Sequence, residues 1–155
     1  MYHRVFVYGT LLRDQVNHHL LAGAEYLGPH RTVPRFALCN LGTYPGLIQG
    51  GGTAVSGEVY RVDGRTLALI DRLEEQPRLY RRRLLPTPYG LAWVYLWRVR
   101  GAAPTADPGS IRRPRRIPSG DWRDLTQDPG SLRARAIRTT RNPKNRPRRA
   151  DHPRP

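Results

Sequence analysis

Short apolar runs separated by glycine and proline fill the first hundred residues, and only Thr66–Glu75 carries apolar side chains at helical spacing over three turns. That punctuation predicts strands over Arg4–Tyr8, Tyr26–Leu27, Arg31–Leu38, Thr53–Val62, Tyr80–Leu85 and Leu91–Val99. A short helix over Gln15–Ala22, capped by Asp14, is expected to bury Val16 and Leu20. Asn40–Gly52 reads as a loop, with Tyr44-Pro45-Gly46 and three consecutive glycines. The expected fold is a compact α+β domain with a mixed, curled, barrel-like sheet and few short helices.

From about residue 101 proline and arginine take over and apolar periodicity ends. The first 100 residues hold 13 basic and 7 acidic side chains; the remaining 14 basic and 5 acidic side chains place most of the net charge of +15 in the last third. A core domain over 1–100, extended to residue 124 by the island Ile117–Trp122, is expected, followed by a basic, disordered tail over 125–155. GC-rich codon bias suffices for one lysine among 26 arginines, so the charge says little about partners. A tail acting on nucleic acid by counterion release is the alternative reading, and it lacks aromatic residues for base stacking. The N-terminus enters a strand directly, no run approaches membrane length, and the single cysteine, Cys39, allows no intrachain disulfide. These features predict a cytoplasmic protein that does not engage a membrane.

Two segments carry chemistry. Val5–Val7 is a buried strand that stops at Tyr8-Gly9-Thr10-Leu11. A glycine there lets backbone approach a ligand, and consecutive N–H groups can form an anion-binding nest. In Thr66–Glu75 the apolar arc is Leu67, Leu69, Ile70 and Leu73. Glu74 projects inside that arc, whereas Asp71, Arg72 and Glu75 project to the solvated side. Burial raises a carboxyl pKa and suits it to take and return a proton near neutrality. From helix geometry alone, the commoner outcome is a glutamate that reaches solvent and pairs with Arg78 or Arg81. Arg82 shares a face with Tyr80 and Leu84 and could brace a site. His18-His19 cannot readily share one ion, being adjacent on a helix, and no metal or other cofactor pattern is present. Gly50–Gly52 lacks a following Lys-Ser/Thr, which argues against a phosphate loop. Cys39 reads as an inert buried thiol.

The ordered set Tyr8-Gly9-Thr10-Leu11, Tyr44-Pro45-Gly46, Gly57-Glu58-Val59-Tyr60, Asp71–Tyr80, Ala92-Trp93-Val94-Tyr95 and Gly120-Asp121-Trp122 resembles the γ-glutamylcyclotransferase-like (AIG2-like) family over residues 4–124. The likeness is greatest to its small γ-glutamylamine and butirosin-type members. The resemblance implies the family's fold and no cofactor. The substrate would be a small γ-glutamyl amine or peptide, handled by a monomer or weak dimer. It implies that Glu74 is catalytic and that Tyr8, Gly9, Thr10, Leu11, Tyr80 and Tyr95 bind substrate. The reaction would release 5-oxoproline by attack of the substrate's own α-amine. One departure stands out: the residue after the glutamate is often glycine in the family, and here it is Glu75.

Overall fold

The computed structural model describes residues 1–98 and 114–126. The chain divides into two units, Met1–Arg123 and Asp124–Pro155. The basic tail expected over 125–155 lies almost entirely outside the described residues, as does Val99 at the end of the last expected strand.

The first unit is α+β, with a five-stranded and a three-stranded sheet. In chain order its strands are β1 (Tyr2–Val7), β2 (Glu25–Arg31), β3 (Phe36–Asn40), β4 (Pro45–Gln49) and β5 (Ser56–Asp63). After helix α1 (Gly64–Leu73) come β6 (Tyr80–Thr87), β7 (Gly90–Trp97) and β8 (Arg115–Arg116). The larger sheet runs β2-β5-β1-β7-β6 and the smaller β4-β3-β8; among the described residues neither closes into a barrel.

β1 lies at the centre of the larger sheet, which suits a strand whose Val5, Phe6 and Val7 are all buried. It pairs antiparallel with β5, Val7 opposite Glu58, and parallel with β7, Val5 beside Trp93. The parallel pairing sends both strands to one edge, so Tyr8 and Tyr95 emerge there together. β6, antiparallel to β7, begins at the same edge with Tyr80 opposite Trp97. That edge holds the cleft described below.

Several elements differ from expectation. The helix predicted over Gln15–Ala22 is a 3-10 turn, His18–Leu21, with Asn17 in the capping position. Asp14 has φ of +65°, and Val16 is 70% exposed. Leu12 and Leu21 take the burial expected of Val16 and Leu20. The predicted loop over 40–52 contains β4, paired with β3 from Asn40↔Pro45 to Phe36↔Gln49. Its loop-like composition has a packing origin: a Cβ at Gly46 would meet Leu41 at 2.9 Å and Trp97 at 3.0 Å. Proline is tolerated at the first residue of a strand. In β5 buried and exposed positions do not alternate, because Gly57, Glu58, Val59 and Tyr60 are all buried between β2 and β1.

α1 starts where Asp63 accepts a hydrogen bond from the Thr66 N–H at 2.7 Å, an N-cap satisfying one of the open donors of the first turn. Its buried stripe is narrower than predicted: Leu67 and Ile70 are buried, whereas Leu69 and Leu73 are 41% and 39% exposed. The helix ends two residues before the expected stop. The Glu75 N–H donates to Arg72 O and the Gln76 N–H to Asp71 O, with Glu75 left-handed at φ +47°. This is a Schellman termination with a glutamate where glycine is usual. The Ile117–Trp122 island docks as expected. Trp122 is buried, the Ser56 N–H donates to Gly120 O, and the Ile117 N–H donates to Leu38 O.

Candidate active site

At the C-terminal edge of β1 and β7 an open cleft is lined by Tyr8, Gly9, Thr10, Leu11, Glu74, Tyr80 and Tyr95, together with Phe6, Val7, Tyr44 and Pro45. All seven residues singled out in the sequence therefore meet in one place. Three distant parts of the chain bring them there: the end of β1, the end of α1 with the start of β6, and the middle of β7.

The loop after β1 is held from outside by its carbonyls. Gly9 O accepts from the Leu12 N–H, Thr10 O from the Asn17 N–H, and Leu11 O from His18 Nδ1 at 2.9 Å. Behind it, buried Glu58 accepts from the Arg13 N–H at 2.9 Å and from the Tyr60 hydroxyl. With three successive carbonyls occupied, the N–H groups of Gly9, Thr10 and Leu11 have no acceptor among the described residues. Unpaired backbone donors beside a cavity are held ready for a ligand oxygen. Gly9 is glycine for a packing reason as well: a Cβ there would sit 2.5 Å from Pro45 Cγ.

Glu74 is the C-terminal cap residue of α1, half-buried, and the only acidic residue lining the cleft among the described residues. Its carboxyl has no hydrogen-bond or ion-pair partner among the described residues. Arg78, which could have neutralised it, instead pairs with exposed Glu75 at 2.7 Å. Three tyrosines surround Glu74 and give it nothing. The hydroxyl of Tyr8 donates to Tyr95 O at 2.6 Å, that of Tyr80 to Pro45 O at 2.7 Å, and that of Tyr95 to Asp71 Oδ1 at 2.6 Å. Burial without compensation pushes the Glu74 carboxyl up to about 7. The same burial, with the Glu74 charge among the further causes, holds Tyr8, Tyr80 and Tyr95 above the usual phenol range, so all three stay protonated donors.

Sequence reasoning missed Asp71. It projects to the solvated side of the helix, yet Tyr95 reaches it and Arg82 Nε lies 3.0 Å from the same Oδ1. Arg82 also stacks its guanidinium 4.5 Å over the Trp93 ring, which gives it the bracing role read from its strand position. Pro45 and Tyr44 were visible as a motif but not as cleft residues. Asn17 carried no signal at all. His18 and His19 each bond a backbone carbonyl through Nδ1, and buried Cys39 has its thiol raised by burial.

The fold and the cleft together define an α+β domain whose cleft is lined both by a loop of unpaired backbone amides and by a carboxyl raised to about 7. Residues 5–124 match the family model described as gamma-glutamyl cyclotransferase, AIG2-like, and the chain belongs to that family. It is similar to a putative gamma-glutamylcyclotransferase of Vibrio cholerae, 44% identical over 79% of this chain and 96% of the relative. Human gamma-glutamylaminecyclotransferase is 41% identical over 52% of this chain and 59% of its own length. Among solved structures, that of the protein ytfP from Escherichia coli superimposes with a TM-score of 0.59 at 39% identity, covering 78% of this chain and 98% of that one.

Proposed function

We propose that this protein is a γ-glutamyl cyclotransferase that releases 5-oxoproline and a free amine from a small γ-glutamyl amide, and that residues 1–124 form its catalytic domain. One observation carries the reading: an unpaired carboxyl, Glu74, and three unpaired backbone amides, those of Gly9, Thr10 and Leu11, line one open cleft.

The substrate's α-carboxylate sits on the three amides, which fixes the neighbouring α-ammonium. Glu74, ionised in about half the molecules at neutral pH, removes a proton from that ammonium. The freed amine attacks the γ-carbonyl carbon, forming the ring C–N bond. As the tetrahedral intermediate collapses, the amide C–N bond breaks. Glu74 returns its proton to the departing nitrogen, and the second proton shed by the ring nitrogen passes to the released amine, which leaves as an ammonium. The nucleophile belongs to the substrate, so the protein's contribution is orientation, worth several kcal/mol when the reacting atoms are held close, and one proton carried both ways. Tyr8, Tyr80 and Tyr95 wall the cleft and keep Glu74 free of competing donors.

The test is 5-oxoproline release from a panel of γ-glutamyl amides by the full chain and by Glu74→Gln. The glutamine side chain keeps the size and loses the proton exchange. Turnover that survives in the variant removes Glu74 from the mechanism; no turnover of any amide by the unaltered protein removes the reaction.

A further inference from the structure

Asn17 occupies the capping position of the His18–Leu21 turn, yet its side chain caps nothing there. Nδ2 instead donates to Thr10 Oγ1 at 3.0 Å, while the Asn17 backbone N–H donates to Thr10 O at 2.9 Å. One residue thus grips Thr10 by side chain and main chain together. A threonine hydroxyl has a single proton to give and lone pairs to receive with. Once an amide N–H occupies a lone pair, the hydroxyl proton is directed elsewhere. Among the described residues it has no acceptor, and Thr10 lines the cleft.

We infer that Asn17 is a positioning residue that turns the Thr10 hydroxyl into a fourth donor of the carboxylate-binding loop, so that three amides and one hydroxyl meet the four lone pairs of a carboxylate. This rests on reading that loop as the seat of the substrate's α-carboxylate. The stoichiometry is specific. A carboxylate offers acceptors only, whereas an α-carboxamide would point its own N–H groups at donors. The site therefore selects a free α-carboxylate beside the γ-glutamyl linkage. The arrangement acts on affinity and leaves proton transfer to Glu74.

The orientation of the Asn17 amide decides the matter. Were it reversed, Oδ1 would accept the Thr10 proton, and an aspartate would do the same. Asn17→Asp, Thr10→Val and the double variant are compared in the full chain, with Thr10→Ser as the variant that keeps a hydroxyl. Two quantities are read: the affinity of 5-oxoproline, from shifts of the Gly9, Thr10 and Leu11 amide resonances, and KM and kcat for γ-glutamyl-methylamide. Asn17→Asp and Thr10→Val are each expected to weaken 5-oxoproline and raise KM about tenfold, the scale of one hydrogen bond to a charged group, with kcat little changed. Adding Asn17→Asp to Thr10→Val should cost nothing more, and Thr10→Ser, which keeps the hydroxyl, should lose less than Thr10→Val. Asn17→Asp that binds as tightly as the unaltered protein overturns the inference. So does a loss that adds in full to that of Thr10→Val, which would mark simple charge repulsion. If 5-oxoproline leaves all three amides of the unaltered protein unmoved, the carboxylate reading falls and takes the inference with it. If it moves them and the Asn17 variant is silent, only the inference falls.

Discussion

Tyr95 gives its hydroxyl proton to Asp71 at 2.6 Å, although it lines the same cleft as Glu74. The acceptor is held in place by Arg82, 3.0 Å away, which is itself stacked on Trp93. A carboxyl pKa falls when a donor hydrogen-bonds the ionised form. By engaging the Tyr95 phenol, Asp71 leaves the Glu74 carboxyl without that donor, as the proposed proton transfer from an ammonium requires. Asp71→Ala should release the Tyr95 hydroxyl toward Glu74 and move the acid limb of the kcat/KM profile below its position near pH 7. Adding Tyr95→Phe removes the released donor and should return the limb toward neutrality. A profile that does not move in Asp71→Ala would mean that Tyr95 never reaches Glu74.

The same carboxyl links stability to pH. Its folded value, about 7, lies above the ordinary 4.5. Below pH 4.5 both the folded and unfolded chains carry the proton, and the neutral side chain burdens neither state. Between these limits only the folded chain keeps it, so stability falls as pH rises, and the loss is complete above 7. Glu74→Gln removes this slope. It should be close to neutral at pH 4 and more stable than the unaltered protein at pH 8 by up to about 3 kcal/mol. Denaturant titrations at the two pH values measure the difference. Equal effects at both would place the Glu74 carboxyl in water.

Glu75 sits at φ +47° in the Schellman termination of α1, a conformation that costs a side chain with a Cβ about 1 kcal/mol. The glycine usual after the glutamate in the resembling family meets this backbone requirement directly. Glu75 recovers little from Arg78, since their 2.7 Å pair lies in solvent, with side chains 47% and 75% exposed. Glu75→Gly should therefore raise stability by about 0.5–1 kcal/mol and leave kcat/KM unchanged. Glu75→Ala, which loses the pair and keeps the strain, should gain nothing. A gain in both variants would trace the effect to charge.

What could be read from the sequence was local. An apolar strand ending at Gly9, and one glutamate projecting into the apolar arc of a helix, were visible because each is written in a few consecutive residues. The Tyr95–Asp71 bond spans 24 positions and joins a strand to a helix face that periodicity assigns to solvent. Periodicity reports which way a side chain points from its own element. It does not report which other element arrives to cover it. β4 was hidden for a related reason, since its proline and glycine answer to Gly9, Leu41 and Trp97 rather than to a turn. The apparent reach of α1 to residue 75 failed because backbone termination, with Glu75 left-handed, overrode side-chain pattern.

Gly9 offers the sharpest test of how the cleft is built. Its φ is not positive, so alanine is allowed by the backbone, and any penalty comes from Pro45, whose Cγ and Cδ would lie 2.5 and 2.9 Å from the new Cβ. A clash this close at both ring carbons pushes on the start of β4, and the Pro45 carbonyl there is the acceptor for Tyr80. Gly9→Ala should therefore open the Tyr80–Pro45 bond, displace two walls of the cleft, and destabilise the domain by about 1–3 kcal/mol, the usual result of overpacking. Because the amides of Gly9 and Thr10 move with the loop, kcat/KM should drop by more than about tenfold, as misplacement by an ångström is costly to oriented catalysis. Pro45→Ala removes the two clashing carbons and keeps the carbonyl. Combined with Gly9→Ala, it should recover most of the stability and part of the activity. If the double variant is no better than Gly9→Ala alone, the clash is not the cause, and Gly9 would then be needed for the ligand's own approach to the loop.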